Sequence, residues 1–119
     1  MMQLLWVALG GALGSLARYG VGVAAARLAG LEFPWGTLVV NALGGLAMGL
    51  MVTRVSPDQE SLRLALGVGL LGGFTTFSAF SLETVRLVQH QPGMAAVYVA
   101  GSLILSVGGC WMGLNLGRP

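Results

Sequence analysis

Charged residues are scarce in this 119-residue chain, and lysine is absent altogether. Four acidic residues and six arginines make up 8% of the chain, whereas a soluble domain carries roughly 25% charged residues. The one cysteine, Cys110, excludes an internal disulfide and a cysteine metal cluster, and the one histidine, His90, excludes a histidine pair for a metal. No basic run indicates nucleic-acid binding, and no constellation of residues typical of an enzyme is present. We therefore expect a protein that is not an enzyme and binds no nucleic acid.

Long apolar stretches fill the space between the charges. The mean hydropathy is +0.83, and 55% of the residues are apolar. A hydrocarbon core of about 30 Å requires about 20 apolar residues per helix, and four stretches of that length are separated by turns that contain proline or glycine. The sequence predicts an all-α integral membrane protein with one domain, residues 1–119, and four transmembrane helices at residues 3–28, 33–53, 62–88 and 93–117.

Twenty glycines indicate close helix packing. Many are four residues apart, a spacing that lets helix backbones approach closely inside lipid. The third span is unusual because the paired glycines Gly72 and Gly73 precede the paired threonines Thr75 and Thr76, and both residue types are poor helix formers. We predict that the third helix is broken near mid-membrane. Lipid cannot satisfy the carbonyls that such a break frees, so they require a partner or a cavity. Unwound carbonyls near the bilayer midplane are a recurring cation site.

The arginines give almost no bias in orientation. With four spans, Arg54, Arg63 and Arg118 lie on one side of the membrane, and Arg27 and Arg86 lie on the other. An excess of arginine in short loops determines the orientation of insertion, and three against two is a very small excess. Two alternatives remain open: a single topology, or insertion both ways with pairing into an antiparallel homodimer.

Polar and aromatic residues recur along three of the predicted helices. Phe77, Phe80 and Glu83 share one helix face, and the positive edge of a phenylalanine ring can coordinate a small anion; the alternative is that both rings are packing residues. Polar side chains in a span tend to face a cavity or another helix. Hydrogen-bond donors at four-residue spacing follow the second and fourth helices: Thr37, Asn41, Tyr98, Ser102 and Ser106. Arg18, within the first span, requires water or a partner, which it reaches either at the interface or beside a pore.

Three motifs resemble the fluoride channels called Fluc or CrcB: GGALGSLARY at 10–19, FPWGTLVVN at 33–41 and GGFTTFSAF at 72–80. The resemblance covers essentially the whole chain in order and spacing. It implies a multi-pass protein of the inner (plasma) membrane of a prokaryote. It also implies a dual-topology homodimer with two antiparallel pores, which exports fluoride passively from the cytoplasm.

The same resemblance implies roles for individual residues. A structural sodium ion, Na+, would be held by the main-chain carbonyls of Gly72 and Thr75 from both subunits. Phe77 and Phe80 would be the aromatic pair of the fluoride pore, and Arg18 would have an electrostatic or vestibule role. Ala79 departs from the pattern, since members often carry threonine there. The remaining pore residues would be Asn41, Thr37, Ser78, Tyr98, Ser102, Ser106 and Glu83.

Two other functions, those of an exporter and of a scaffold, are alternatives to a channel. A small proton-coupled multidrug exporter of the four-helix dual-topology type is the alternative, but it needs a titratable carboxylate inside the membrane, typically in the first helix. The first 31 residues contain no acid. A membrane scaffold would explain the glycines but neither the polar residues nor the glycine–threonine stretch.

Overall fold

Seven helical segments form four membrane-length helices in the computed structural model, which describes residues 1–119. All four are long and apolar enough to cross a membrane, and no strand is present, so the predicted all-α membrane architecture is confirmed. The third span consists of several segments and is interrupted at Thr75 and Thr76. The segments are α1 (Met2–Ala29), α2 (Trp35–Arg54), α3 (Glu60–Arg63), a π-helical segment (Leu64–Leu71), α4 (Gly72–Phe74), α5 (Phe77–His90) and α6 (Pro92–Gly117).

Hydrogen bonds between chain segments identify one end of the bundle. The Gln3 side chain donates to Glu60 Oε1 over 2.9 Å, which brings the N-terminus to the turn between α2 and α3. Arg54 Nε donates to the Gly117 carbonyl over 2.9 Å, which brings the C-terminus to the same turn. The N-terminus, the middle turn and the C-terminus therefore lie at one end, as expected for four spans that alternate in direction.

Close backbone contacts join the helices in two pairs. α2 packs mainly against α6, and α1 packs against the π-helical segment and α4. At the second contact, a Cβ atom added to Gly69 would lie only 3.0 Å from the Cα of Gly10. Without side chains at these positions the two backbones touch directly, which is how helices associate where lipid supplies no hydrophobic drive.

Most of the surface of the single chain is apolar and exposed. Only 15 of the 119 residues are buried, while side chains such as Leu13, Ile104 and Trp111 are more than 60% exposed. The buried apolar cluster is small and lies where α2, α5 and α6 meet; it consists of Leu38, Leu87, Ala95 and Tyr98. Such a surface is suited to contact with lipid or with another membrane-embedded chain.

The break in the third span occurs at the threonines. Thr75 (φ −86°, ψ 159°) and Thr76 (φ −150°, ψ 122°) are extended, whereas Gly72 and Gly73 remain helical. A Cβ atom at Gly73 would lie 2.7 Å from the carbonyl oxygen of Gly11, so this glycine serves the contact with α1. The helix resumes at Phe77, where Thr76 Oγ1 accepts a hydrogen bond from the Ala79 N–H over 3.1 Å and caps α5.

Candidate pore

A cavity of about 380 Å³ lies between α2, the break, α5 and α6. Five of the side chains predicted to form the pore line it: Asn41, Phe77, Phe80, Ser102 and Ser106. Polar side chains from α2 and α6 and two aromatic rings from α5 therefore border one space. The other lining residues are Gly44, Gly45, Met48, Thr75, Thr76, Leu103 and Cys110.

The two phenylalanines of α5 stack on each other beside this cavity. Their ring centroids are 5.6 Å apart, and the rings are inclined by 20°. Phe80 also packs against Tyr98, with centroids 5.2 Å apart, and is thereby joined to the buried cluster. Phe77 is 69% exposed in the single chain. Phe80 therefore has a packing role as well, whereas Phe77 has little to pack against in its own subunit.

Ser102 lines the cavity and carries a hydroxyl that is buried and unpaired. The residue is 5% exposed, and its Oγ makes no hydrogen bond within the chain. Leaving a buried polar group unsatisfied costs roughly 1–3 kcal/mol, and such groups are rare in native structures. A hydroxyl in this state has a donor available for a ligand that enters the cavity.

Replacing Ser102 with alanine tests separately how the hydroxyl affects stability and whether it serves as a donor to a ligand. We expect Ser102→Ala to leave thermal stability unchanged or slightly higher, because the lost group has no partner in the protein. If the hydroxyl donates to a permeating anion, the same variant slows anion flux by about tenfold, since a hydrogen bond to a charged group is worth roughly 1.5–3 kcal/mol. Ser15→Ala, on the exposed face of α1, is the control. Normal flux through Ser102→Ala would contradict the assignment of this hydroxyl as a donor.

Asn41 holds the break from the side of α2. Its Nδ2 donates to the Thr76 carbonyl over 3.0 Å, and its Oδ1 accepts from the Thr76 N–H over 2.8 Å. The amide thus replaces both hydrogen bonds that an uninterrupted helix would have made with the backbone of Thr76. One N–H of the amide is not used by this pair of bonds, so Asn41 retains a donor beside the cavity that it lines.

Arg18 also bonds to the break. Its Nε donates to the Gly73 carbonyl over 3.1 Å, in a half-buried position. The residue borders a second cavity, of about 360 Å³, that Thr37 and Thr76 also line. Arg18 therefore has a main-chain carbonyl of the break as its partner.

The remaining predicted pore residues lie outside the first cavity. Tyr98, which is completely buried, donates its hydroxyl to Glu83 Oε1 over 3.0 Å. Glu83 and Thr37 line a wider cavity of about 680 Å³ near the turns that precede α2 and α6. Ser78 is exposed, with its hydroxyl oxygen 3.3 Å from Thr76 Oγ1. The predicted residues are therefore spread over more than one cavity and do not form one site.

Main-chain oxygens are the available ligands for a cation at the break. No group of three or more histidine, cysteine, aspartate or glutamate side chains could hold a metal ion. The break exposes carbonyls, and Gly72 lies on the surface of the single chain. Hard cations prefer oxygen ligands, so the chemistry of these groups fits Na+ and does not fit a transition metal.

Two features of the site were missed in the sequence. Cys110 lines the cavity, and it continues the four-residue spacing of Tyr98, Ser102 and Ser106, which was the signal available for it. Thr76 caps α5, and a threonine just before an apolar helical run is a typical capping signal.

Comparison with known proteins identifies the family of this chain. Residues 5–114 match the family described as CrcB-like protein, Camphor Resistance (CrcB). The chain is 51% identical to the fluoride-specific ion channel FluC of Caulobacter sp. (strain K31), with 99% of this chain and 96% of that protein covered. It is 50% identical to FluC of Novosphingobium aromaticivorans (95% and 94% covered) and 48% identical to FluC of Agrobacterium fabrum (99% and 98% covered).

These relatives are bacterial, and the matches run over nearly the full length of each protein. The family that the three motifs indicated is thereby confirmed, and the alternative of a small multidrug exporter is rejected. With its four membrane-length helices, the chain belongs to the CrcB family of multi-pass membrane proteins.

Proposed function

We propose that this protein is a passive, fluoride-selective ion channel that exports fluoride from the cytoplasm. The observation that carries the proposal is the buried, unpaired hydroxyl of Ser102, which borders a cavity shared with Asn41 and the stacked Phe77 and Phe80. The relatives named as fluoride-specific channels supply the identity of the ion. No covalent step is involved, and no acid in α1 provides for proton coupling.

Selectivity follows from the dehydration of the ion. Fluoride is small and holds its water strongly, so a narrow site must replace that water with donors at short range. The hydroxyls of Ser102 and Ser106, the amide of Asn41 and the positive ring edges of the two phenylalanines are such groups. A larger halide fits the same donors poorly. Hydrogen fluoride enters a cell across lipid and dissociates inside, which creates the need for a conductive exit.

Efflux from liposomes tests the function directly. Liposomes that hold the purified protein are loaded with fluoride or with chloride, and the release of each ion is followed with an ion-selective electrode. We expect fast fluoride release and chloride release no faster than in protein-free liposomes. Fluoride release at the protein-free rate, from folded protein, would reject the proposal.

We also propose that two oppositely inserted copies form an antiparallel homodimer with two pores. Three observations support it: the near-balanced arginines, the low burial of the single chain and the exposure of Phe77 beside its own cavity. A two-fold axis in the membrane plane relates two such copies and places two equivalent pores side by side. The dimer is proposed to contain a structural Na+ held by the carbonyls of Gly72 and Thr75 from each subunit. When bound, the ion supplies positive charge in a medium of low dielectric, which favours anions nearby.

Dual topology predicts that a C-terminal tag is reachable from both sides of the native membrane in similar amounts. Ser61→Arg adds a positive charge to the end that already carries three arginines, so it should shift most copies to one orientation. Ser61→Gln is the control without a charge. If the wild-type tag is reachable from one side only, the antiparallel dimer is rejected.

A further inference from the structure

Main-chain carbonyls at the break lose the partners that a continuous helix would provide, and those of Gly73 and Thr76 receive replacements. The Gly73 carbonyl accepts from Arg18 Nε over 3.1 Å, and the Thr76 carbonyl accepts from Asn41 Nδ2 over 3.0 Å. Both donors come from other helices. These side chains therefore cover two carbonyls that lipid could not have satisfied.

Two more carbonyls, those of Gly72 and Thr75, lose their partners to side chains. In an α-helix the N–H of residue i bonds to the carbonyl of residue i−4. The Thr76 N–H, which would bond to Gly72, is taken by Asn41 Oδ1 over 2.8 Å. The Ala79 N–H, which would bond to Thr75, is taken by Thr76 Oγ1 over 3.1 Å.

We propose that Asn41 and Thr76 are positioning residues for the central cation, because they withdraw the N–H groups that would otherwise neutralise its two carbonyl ligands. The inference rests on the sodium ion of the proposed function. The same two side chains also face the pore cavity, since both residues line it. Pore lining and cation site are thus built by shared residues.

The energetic reason is that an N–H group and the cation compete for the same carbonyl oxygen. A carbonyl inside a membrane is costly unless it has a donor or a cation beside it. If the Ala79 N–H is released, it can bond to the Thr75 carbonyl, and α5 then begins one residue earlier, at Thr76. A carbonyl that already accepts a hydrogen bond gains less from a cation, so sodium affinity falls.

Thr76→Val tests the inference because valine keeps the shape of threonine but removes Oγ1. Stability of the dimer against heat is measured as sodium is raised at constant ionic strength, with choline as the replacement cation. We expect Thr76→Val to raise the sodium concentration for half-maximal stabilisation by about tenfold or more, since one ligand of each subunit is weakened. Thr76→Ser keeps the hydroxyl and should restore the wild-type value to within about threefold.

Thr84→Val is the matched control, since Thr84 Oγ1 only donates to the Phe80 carbonyl within α5 over 2.7 Å. It should leave the sodium dependence unchanged. Thr76→Ala removes the same hydroxyl with less crowding and carries the test if the valine variant does not fold. A wild-type sodium dependence retained by the variant that lacks the hydroxyl, Thr76→Val or its substitute Thr76→Ala, would overturn the inference while the sodium ion stands. A folded wild-type dimer indifferent to sodium would overturn both, and fluoride efflux, measured separately, decides whether the channel function survives.

Discussion

Replacing Phe77 with isoleucine is expected to reduce fluoride efflux by at least about tenfold while the protein stays folded and keeps its oligomeric state. Isoleucine keeps bulk and apolar character but has no ring with a positive edge, so an ion beside it loses that interaction. Phe77 provides the clearer test of the two positions because its side chain is 69% exposed in the single chain and contributes little to packing. Phe80→Ile should reduce flux as strongly, and it should also lower stability because Phe80 packs on Tyr98.

The matched control is Phe74→Ile, which makes the same substitution at a phenylalanine that does not line the cavity. Efflux from liposomes and size-exclusion chromatography of each variant provide the two measurements. Wild-type fluoride efflux through both Phe77→Ile and Phe80→Ile would mean that the rings only fill space. In that case the donors of the pore would be the hydroxyls and the amide alone.

The second large effect concerns stability. A Cβ atom at Gly113 would lie 2.9 Å from the backbone nitrogen of Leu50 and would overlap the Leu46 carbonyl on α2. Because backbone atoms cannot turn aside as a side chain can, Gly113→Ala must move α6 away from α2. Overpacking of this kind costs typically about 1–3 kcal/mol. We expect a clear fall in the temperature at which the protein unfolds.

Gly108→Ala, on the same helix, is expected to act in the opposite direction. Nothing lies within 4 Å of a Cβ atom at this position, and alanine favours a helix by up to about 1 kcal/mol over glycine. Thermal unfolding followed by loss of monodisperse protein measures both variants. Equal stabilities would contradict the close packing of α6 on α2.

The sequence alone determined the architecture of four membrane-length helices. Each charge-free stretch of about 20 residues matches the thickness of the hydrocarbon core, and the bilayer acts on each segment independently of its neighbours. The bounds of two helices lie near the predicted spans. α2 spans Trp35–Arg54 and α6 spans Pro92–Gly117, and the predicted spans are 33–53 and 93–117. The helix-poor stretch after Leu71 was also visible, because paired glycines and threonines disfavour a continuous helix through local propensity.

Only the tertiary structure decided where the break lies and what it does. The glycines stay helical against α1, and the chain extends at Thr75 and Thr76. The backbone of Thr76 bonds to Asn41, 35 residues away. Likewise, Arg18 finds the Gly73 carbonyl 55 residues away, which no local pattern in the sequence encodes. The π-helical segment Leu64–Leu71 had no sequence signal, and it lies where its backbone contacts that of α1.

The candidate pore also combines features that the sequence predicts with features that depend on the tertiary structure. Four-residue spacing placed Tyr98, Ser102 and Ser106 on one face of α6, because helix periodicity is a local property. The spacing could not show that the Tyr98 hydroxyl is used by Glu83 while that of Ser102 remains unpaired. Whether a polar group is satisfied depends on which atoms the packing of other helices brings within about 3 Å, and only the folded chain determines that.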